Sequence, residues 1–124
     1  MTIDVIIPAD QQKVYDNWHF APAVRQDGFI FCSGVIGNGD TAEDEFRDAW
    51  QSIGRTLEEA GAGYSDIVDT TLYIVDLAEN AGIMAKVKDE FIKVPYPAST
   101  WIGIAGLINP NACAEIKVIA SVPA

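Results

Sequence analysis

The chain predicts an α+β domain in which two helices pack on one face of a single sheet. Three features point to this. Short β-branched or apolar runs occur at residues 2–7, 21–26, 29–33, 67–75, 99–106 and 114–122. Two stretches, 41–60 and 77–92, instead space their apolar residues for helices, and they separate the third, fourth and fifth runs. The resulting order is β-β-β-α-β-α-β-β, with no linker, repeat or low-complexity stretch, so residues 1–124 read as one domain.

Each element has its own signal. Thr2 to Ile7 alternates weakly and stops at Pro8. Residues 11–23 are aromatic-rich (Tyr15, Trp18, His19, Phe20) and read as irregular. Asp27-Gly28 is a strong hairpin turn signal between strands 21–26 and 29–33. Phe29-Ile30-Phe31-Cys32-Ser33 has no polar face until its end, which implies burial on both sides. The glycine-rich connection Gly34–Asp40 lacks the Lys-Ser/Thr ending of a phosphate loop. Thr41 followed by Asp44 resembles a capping box, with Asp in place of Glu. Phe46, Ala49, Trp50, Ile53, Leu57 and Ala60 then form one apolar helical stripe, ended by Gly61 and Gly63. The second helix carries Ile83, Met84, Val87 and Phe91, and Pro95 and Pro97 break the chain before the last two strands.

Composition narrows the function classes. A hydrophobic fraction of 49% excludes a disordered chain. No apolar run approaches the roughly 18 residues that span a bilayer, and the N-terminal residues lack a signal-peptide pattern. Cys32 and Cys113 are far apart and read as reduced cytoplasmic thiols; with one histidine they make no metal-ligand cluster. No metal and no cofactor is expected. The net charge of −10 disfavours nucleic acid and anionic membranes as partners, because phosphate neutralisation needs a basic face. Glu43, Asp44, Glu45, Asp48, Glu58 and Glu59 read as a solvated helix face that keeps this acidic protein soluble.

Two helices cover only one face of a sheet. Ile116, Val118 and Ala120 share one face of the last strand, while Glu115, Lys117 and Ile119 share the other. The face without helices stays rather apolar, so another copy of the chain is expected to cover it in a symmetric homo-oligomer.

Several short motifs recur in order: Ser33-Gly34-Val35-Ile36-Gly37 after an apolar strand, Asp66-Ile67-Val68 and Thr70-Thr71, Val75-Asp76-Leu77, Pro97-Ala98, then Glu115-Ile116 and Ile119-Ala120. In this order and spacing the chain, from about residue 18 to 121, resembles the Rid (YjgF) family of small enamine/imine deaminases. The resemblance implies a chorismate-mutase-like fold, with a mixed sheet of about six strands and two helices on one face. It also implies a homotrimer around a central barrel, with a ligand cleft at each subunit interface.

Carried over residue by residue, Glu115 matches the glutamate that positions or activates the attacking water, a role that suits a general acid/base beside an imine. The bland alternative is a strand carboxylate paired with Lys117 or solvent. Ser33 and Gly34 match the cleft wall; their alternative is a strand end with a permissive glycine. The pocket aromatic falls on Phe20 or on Trp18, and a core or interface aromatic is the competing reading. A serine nucleophile is not expected, since His19 is the only histidine and no nucleophile elbow surrounds Ser33.

The family's deaminating branch has a carboxylate-gripping arginine after Pro-Ala, where this chain has Ser99. A serine offers one hydrogen bond and neither charge nor fork. An unpaired carboxylate in a dry pocket costs about 2–5 kcal/mol, a loss of roughly 30- to several thousand-fold. Arg25, beside the hairpin turn, is a poor replacement. The reading that follows is a trimer that binds, and in its catalytic form hydrolyses, a small imine, enamine or related carbonyl compound other than 2-iminopropionate. Ser99, Thr100 and nearby backbone would orient the ligand, and Trp101 would pack it unless the indole is sheet or interface packing. A non-catalytic metabolite-binding or regulatory trimer is the alternative; a ribonuclease or translation inhibitor ranks low on charge.

Overall fold

The computed structural model describes residues 3–122. Its strands are β1 (Asp4–Ile6), β2 (Ala23–Gln26), β3 (Phe29–Cys32), β4 (Ile67–Val75), β5 (Ala98–Ile104) and β6 (Ala114–Ser121). Its helices are α1 (Gln12–Trp18), α2 (Ala42–Glu59) and α3 (Leu77–Lys88). All six expected strands form, β4 with the expected bounds, β5 starting one residue earlier and ending two earlier, and the others shorter; Thr2 of the first lies outside the described residues.

The strands make one sheet in the order β1-β2-β3-β6-β4-β5. Only β4 and β5 are parallel, from Asp69↔Ala98 to Val75↔Ile104, and α3 supplies the crossover that parallel pairing demands. The other neighbours are antiparallel. Asp27 and Gly28 both take positive φ (54° and 81°), so the β2–β3 hairpin closes through the mirror-image turn that its sequence favours.

Thr41 caps α2, its hydroxyl accepting from the Asp44 N–H at 3.1 Å. The expected stripe of Phe46, Ala49, Trp50, Ile53, Leu57 and Ala60 is buried throughout. It meets Ile30 and Cys32 of β3, Leu72 and Ile74 of β4, and Ile116, Val118 and Ala120 of β6, with Met84 and Val87 of α3 beside it. Each large side chain buried there stabilises the fold by about 1.5–3 kcal/mol. Beyond α3, backbone turns continue to Ile92, whose N–H donates to Lys88. Phe91 stacks on Trp50 at 6.2 Å and tilts against Tyr64 at 5.3 Å, holding the segment after α3 against the middle of α2.

Three expectations are corrected. Residues 12–18 are helical rather than irregular. This helix buries no residue, so it carries no apolar stripe to betray it in the sequence. Strand β3 is not buried on both sides in the protomer: Ile30 and Cys32 enter the core, but Phe29 and Phe31 are 42% and 41% exposed. The helices lie on the other face. Finally, Glu45 is not solvated. It is 6% exposed, and its carboxylate accepts from the Cys113 N–H (2.9 and 3.1 Å) and the Ala114 N–H (3.1 Å). The start of α2 is thereby tied to the start of β6.

Candidate functional site

The helix-free face of the sheet is rimmed by side chains whose positions follow from register. On β6 it presents Glu115, Lys117 and Ile119; opposite them stand Tyr73 and Thr71 of β4 and Phe31 of β3. Thr100, Ile102 and Ile104 of β5 continue it. At one end of this face lies a groove of about 890 Å³. Its floor is β6 and the end of β3, one wall is Phe20, Ala21 and Val24, and the other is Tyr73 with Ile104, Gly106, Leu107 and Ile108.

A register slip shapes the floor. Phe31 pairs with Ile119, but Val35 pairs with Ile116, so β3 carries one extra residue across this interval. Such a bulge bends the strand and re-aims its side chains. Ser33 sits in it. Its hydroxyl donates to the Ala21 carbonyl at 2.6 Å, and its N–H donates to the Pro22 carbonyl at 2.9 Å. The bulge therefore holds segment 20–22 against the strand end and places Phe20 on the groove wall. Gly34 leaves room for the Glu115 carboxylate. A Cβ at Gly34 would stand 2.7 Å from Glu115 Cδ and 2.9 Å from its Cγ, well inside contact distance.

Glu115, Ser33, Gly34 and Phe20 thus converge on one groove. Trp18 does not line it and is 64% exposed at the end of α1. Ser99, Thr100 and Trp101 do not line it either. Ser99 and Trp101 stand opposite Thr70 and Leu72, on the helix face, and Trp101 packs against the edge of the core. Thr100 points to the open face beside Thr71, outside the groove lining. Arg25 lies on the helix side, donating to the Ala60 carbonyl and to Asp4 at 3.4 Å, so it brings no charge to the groove.

Two groove residues, Tyr73 and Lys117, were not singled out as ligand contacts in the sequence. Lys117 shares the Glu115 face by simple alternation, a signal legible in the strand itself. Tyr73 needed the β4–β6 register, which pairs it directly with Glu115. The alternative pairing of Glu115 with Lys117 does not form: among the described residues no ion pair joins them. Cys32 lies at the groove's base but points into the core, and burial pushes its thiol up to about 11. Among the described residues no cluster of His, Cys, Asp and Glu could hold a metal ion, and no helix is long and apolar enough to cross a membrane.

The groove combines one carboxylate set over a glycine, a neighbouring phenol and largely apolar walls. Such an arrangement suits a small, partly apolar molecule whose reactive carbon meets a water held by a carboxylate.

The model of the Endoribonuclease L-PSP family matches residues 11–122. The chain is 31% identical over 125 residues to the RutC family protein YjgH of Escherichia coli, covering 95% of this chain and 94% of that one. It is 32% identical over 108 residues to the 2-iminobutanoate/2-iminopropanoate deaminase of Dermatophagoides farinae, covering 81% and 83%. The solved structure of the protein YJGH superposes with a TM-score of 0.90 at 27% identity, over 100% of this chain and 99% of that one.

Proposed function

The chain belongs to the Endoribonuclease L-PSP (YjgF/Rid) family, and from that premise we propose that it is a cytoplasmic homotrimer that binds and hydrolytically deaminates a small imine or enamine. The observation that carries this reading is the Glu115 carboxylate laid over Gly34 in the groove, beside Tyr73 and without an ion-pair partner among the described residues. In the proposed reaction Glu115 takes a proton from water as its oxygen bonds to the imine carbon. That proton passes to nitrogen; the second water proton follows from the carbinolamine hydroxyl as its C=O bond forms, the C–N bond breaks, and ammonia leaves a carbonyl product. The family includes relatives named as imine deaminases, which supports this reaction class.

Ser99, Thr100 and Trp101 enter this reading through a neighbouring copy. Strand β5 is a sheet edge, and trimer assembly would bring one copy's edge near another's open face. Ser99 would supply a neutral contact there, so 2-iminopropionate should be handled poorly. The family model's ribonuclease description is not adopted for this chain, because a net charge of −10 opposes phosphate binding.

A second reading, a non-catalytic metabolite-binding trimer, draws on the absence of a cationic side chain at position 99. One experiment separates the two. Hydrolysis of freshly generated 2-iminopropionate and of a carboxylate-free imine is compared in wild type and Glu115→Gln. Turnover of the carboxylate-free imine that the variant loses supports the enzyme; no turnover of either supports the binder. Fast, saturable turnover of 2-iminopropionate would overturn the argument from Ser99.

A further inference from the structure

We propose that Lys117 is a specificity-determining residue that gives the groove a second anchor, for an anionic group on the ligand. The inference rests on the groove reading above and names the ligand class more narrowly: a small imine or carbonyl compound with an anionic group set apart from the reacting carbon.

The groove holds two opposite charges among its lining side chains, Glu115 and Lys117. Both project from β6 onto the open face, two residues apart, so their Cα atoms are about 6.7 Å from each other. Lys117 stands opposite Thr71, with Thr100 on the next strand and Ile119 beyond it on its own. Asp69, opposite Ile119, and Glu115 share this face, yet among the described residues no ion pair joins either of them to Lys117. Arg25, Arg47, Lys86 and Lys88 each pair with a carboxylate and Lys93 donates to a backbone carbonyl; among the described residues Lys13, Arg55 and Lys117 have neither ion pair nor hydrogen bond, and of these three Lys117 alone lines the groove.

The chain is strongly acidic, so an exposed cation on the lining of a partly apolar groove is the local exception to its field. A ligand anion at Lys117 would leave its carbonyl or imine carbon within reach of the water held by Glu115, provided that the two functions are separated by at least one carbon. A 2-imino acid, with its carboxylate on the reacting carbon, fits this spacing badly. The neutral side chain at position 99 and the cation at position 117 together put the ligand's anion at Lys117.

The test uses 4-oxopentanoate and its neutral methyl ester, which stand in for carbonyl products. Binding of each to wild type, Lys117→Met and Lys117→Arg is titrated by NMR at low and high salt. Wild type should prefer the carboxylate by about two- to fivefold, the contribution of an exposed charge pair. The preference should collapse to about one in Lys117→Met, return in Lys117→Arg and shrink in high salt. Equal binding of the two probes by wild type, binding of neither, or an equal loss of both in Lys117→Met would overturn the proposal; the last outcome marks a structural role. Because the readout is a binding ratio, a lack of imine turnover defeats the proposed reaction without touching this result.

Discussion

The Glu115 carboxyl lies so close over the backbone of Gly34 that any side chain at position 34 would occupy its place: Cδ would be 2.7 Å from an added Cβ. The obstructed atoms belong to a flexible side chain and not to backbone, so the side chain can yield. Gly34→Ala should therefore fold, with a stability loss below about 1 kcal/mol, yet swing Glu115 out of its seat. A displacement of this size should lower imine turnover on the order of a hundredfold. Thermal melting and steady-state kinetics of the one variant check both halves; full activity would show that the seat is not needed.

Glu45 should be a structural residue despite its charge. Its carboxylate holds the N–H groups of Cys113 and Ala114, the residues that launch β6 immediately before Glu115. Glu45→Ala leaves those donors without their acceptor and should cost about 2–4 kcal/mol in denaturant unfolding. Activity per folded molecule should fall as well, since the β6 start loses its tether.

The thiols should be poor nucleophiles. Burial raises Cys32 from 9.0 to about 11, and desolvation, followed by the nearby Glu45, Asp76 and Glu79 carboxylates, raises Cys113. Native protein at pH 8 should react slowly with a thiol reagent, Cys113 ahead of the fully buried Cys32, and unfolding should release both. A raised folded-state value means that the stability tied to Cys32 is complete below about pH 9 and is lost as pH rises toward about 11, because the unfolded thiol ionises first. The loss is on the order of 2–3 kcal/mol. Cys32→Ala should flatten that alkaline limb.

Phe29 and Phe31 sit 6.3 Å apart on the open face, each about two-fifths exposed. If another copy covers them, Phe31→Asp should abolish assembly, because it removes an apolar contact and puts in its place a carboxylate that the interface must desolvate. Sedimentation at micromolar concentration should show trimers for wild type and monomers for the variant. The folded monomer should lose no more than about 1 kcal/mol, since Phe31 is not in its core. A monomeric wild type would end the trimer reading.

Periodicity carried the architecture. The α2 stripe, the Asp27-Gly28 turn and the two faces of β6 were legible because each depends on residues near in sequence and on one period. Helix α1 was not, since a helix that buries nothing leaves no stripe. Glu45 was not, because its partners lie 68 and 69 residues away. Glu115, Ser33 and Gly34 were nominated from motif order alone, yet their meeting in one groove depends on the β3–β6 pairing and on the extra residue that bends it.

By itself, then, the sequence determined the six strands, the two helices that cover the sheet, their order and the candidate carboxylate, since those follow from local pattern and motif. Only the tertiary structure decided which side chains share a groove. It turned Trp101 and Ser99 to the helix face and put Tyr73 and Lys117 beside Glu115. The physical reason is register: in a sheet, a shift of one residue exchanges the two faces, and the sequence of a single strand does not state which residue of its neighbour it will meet.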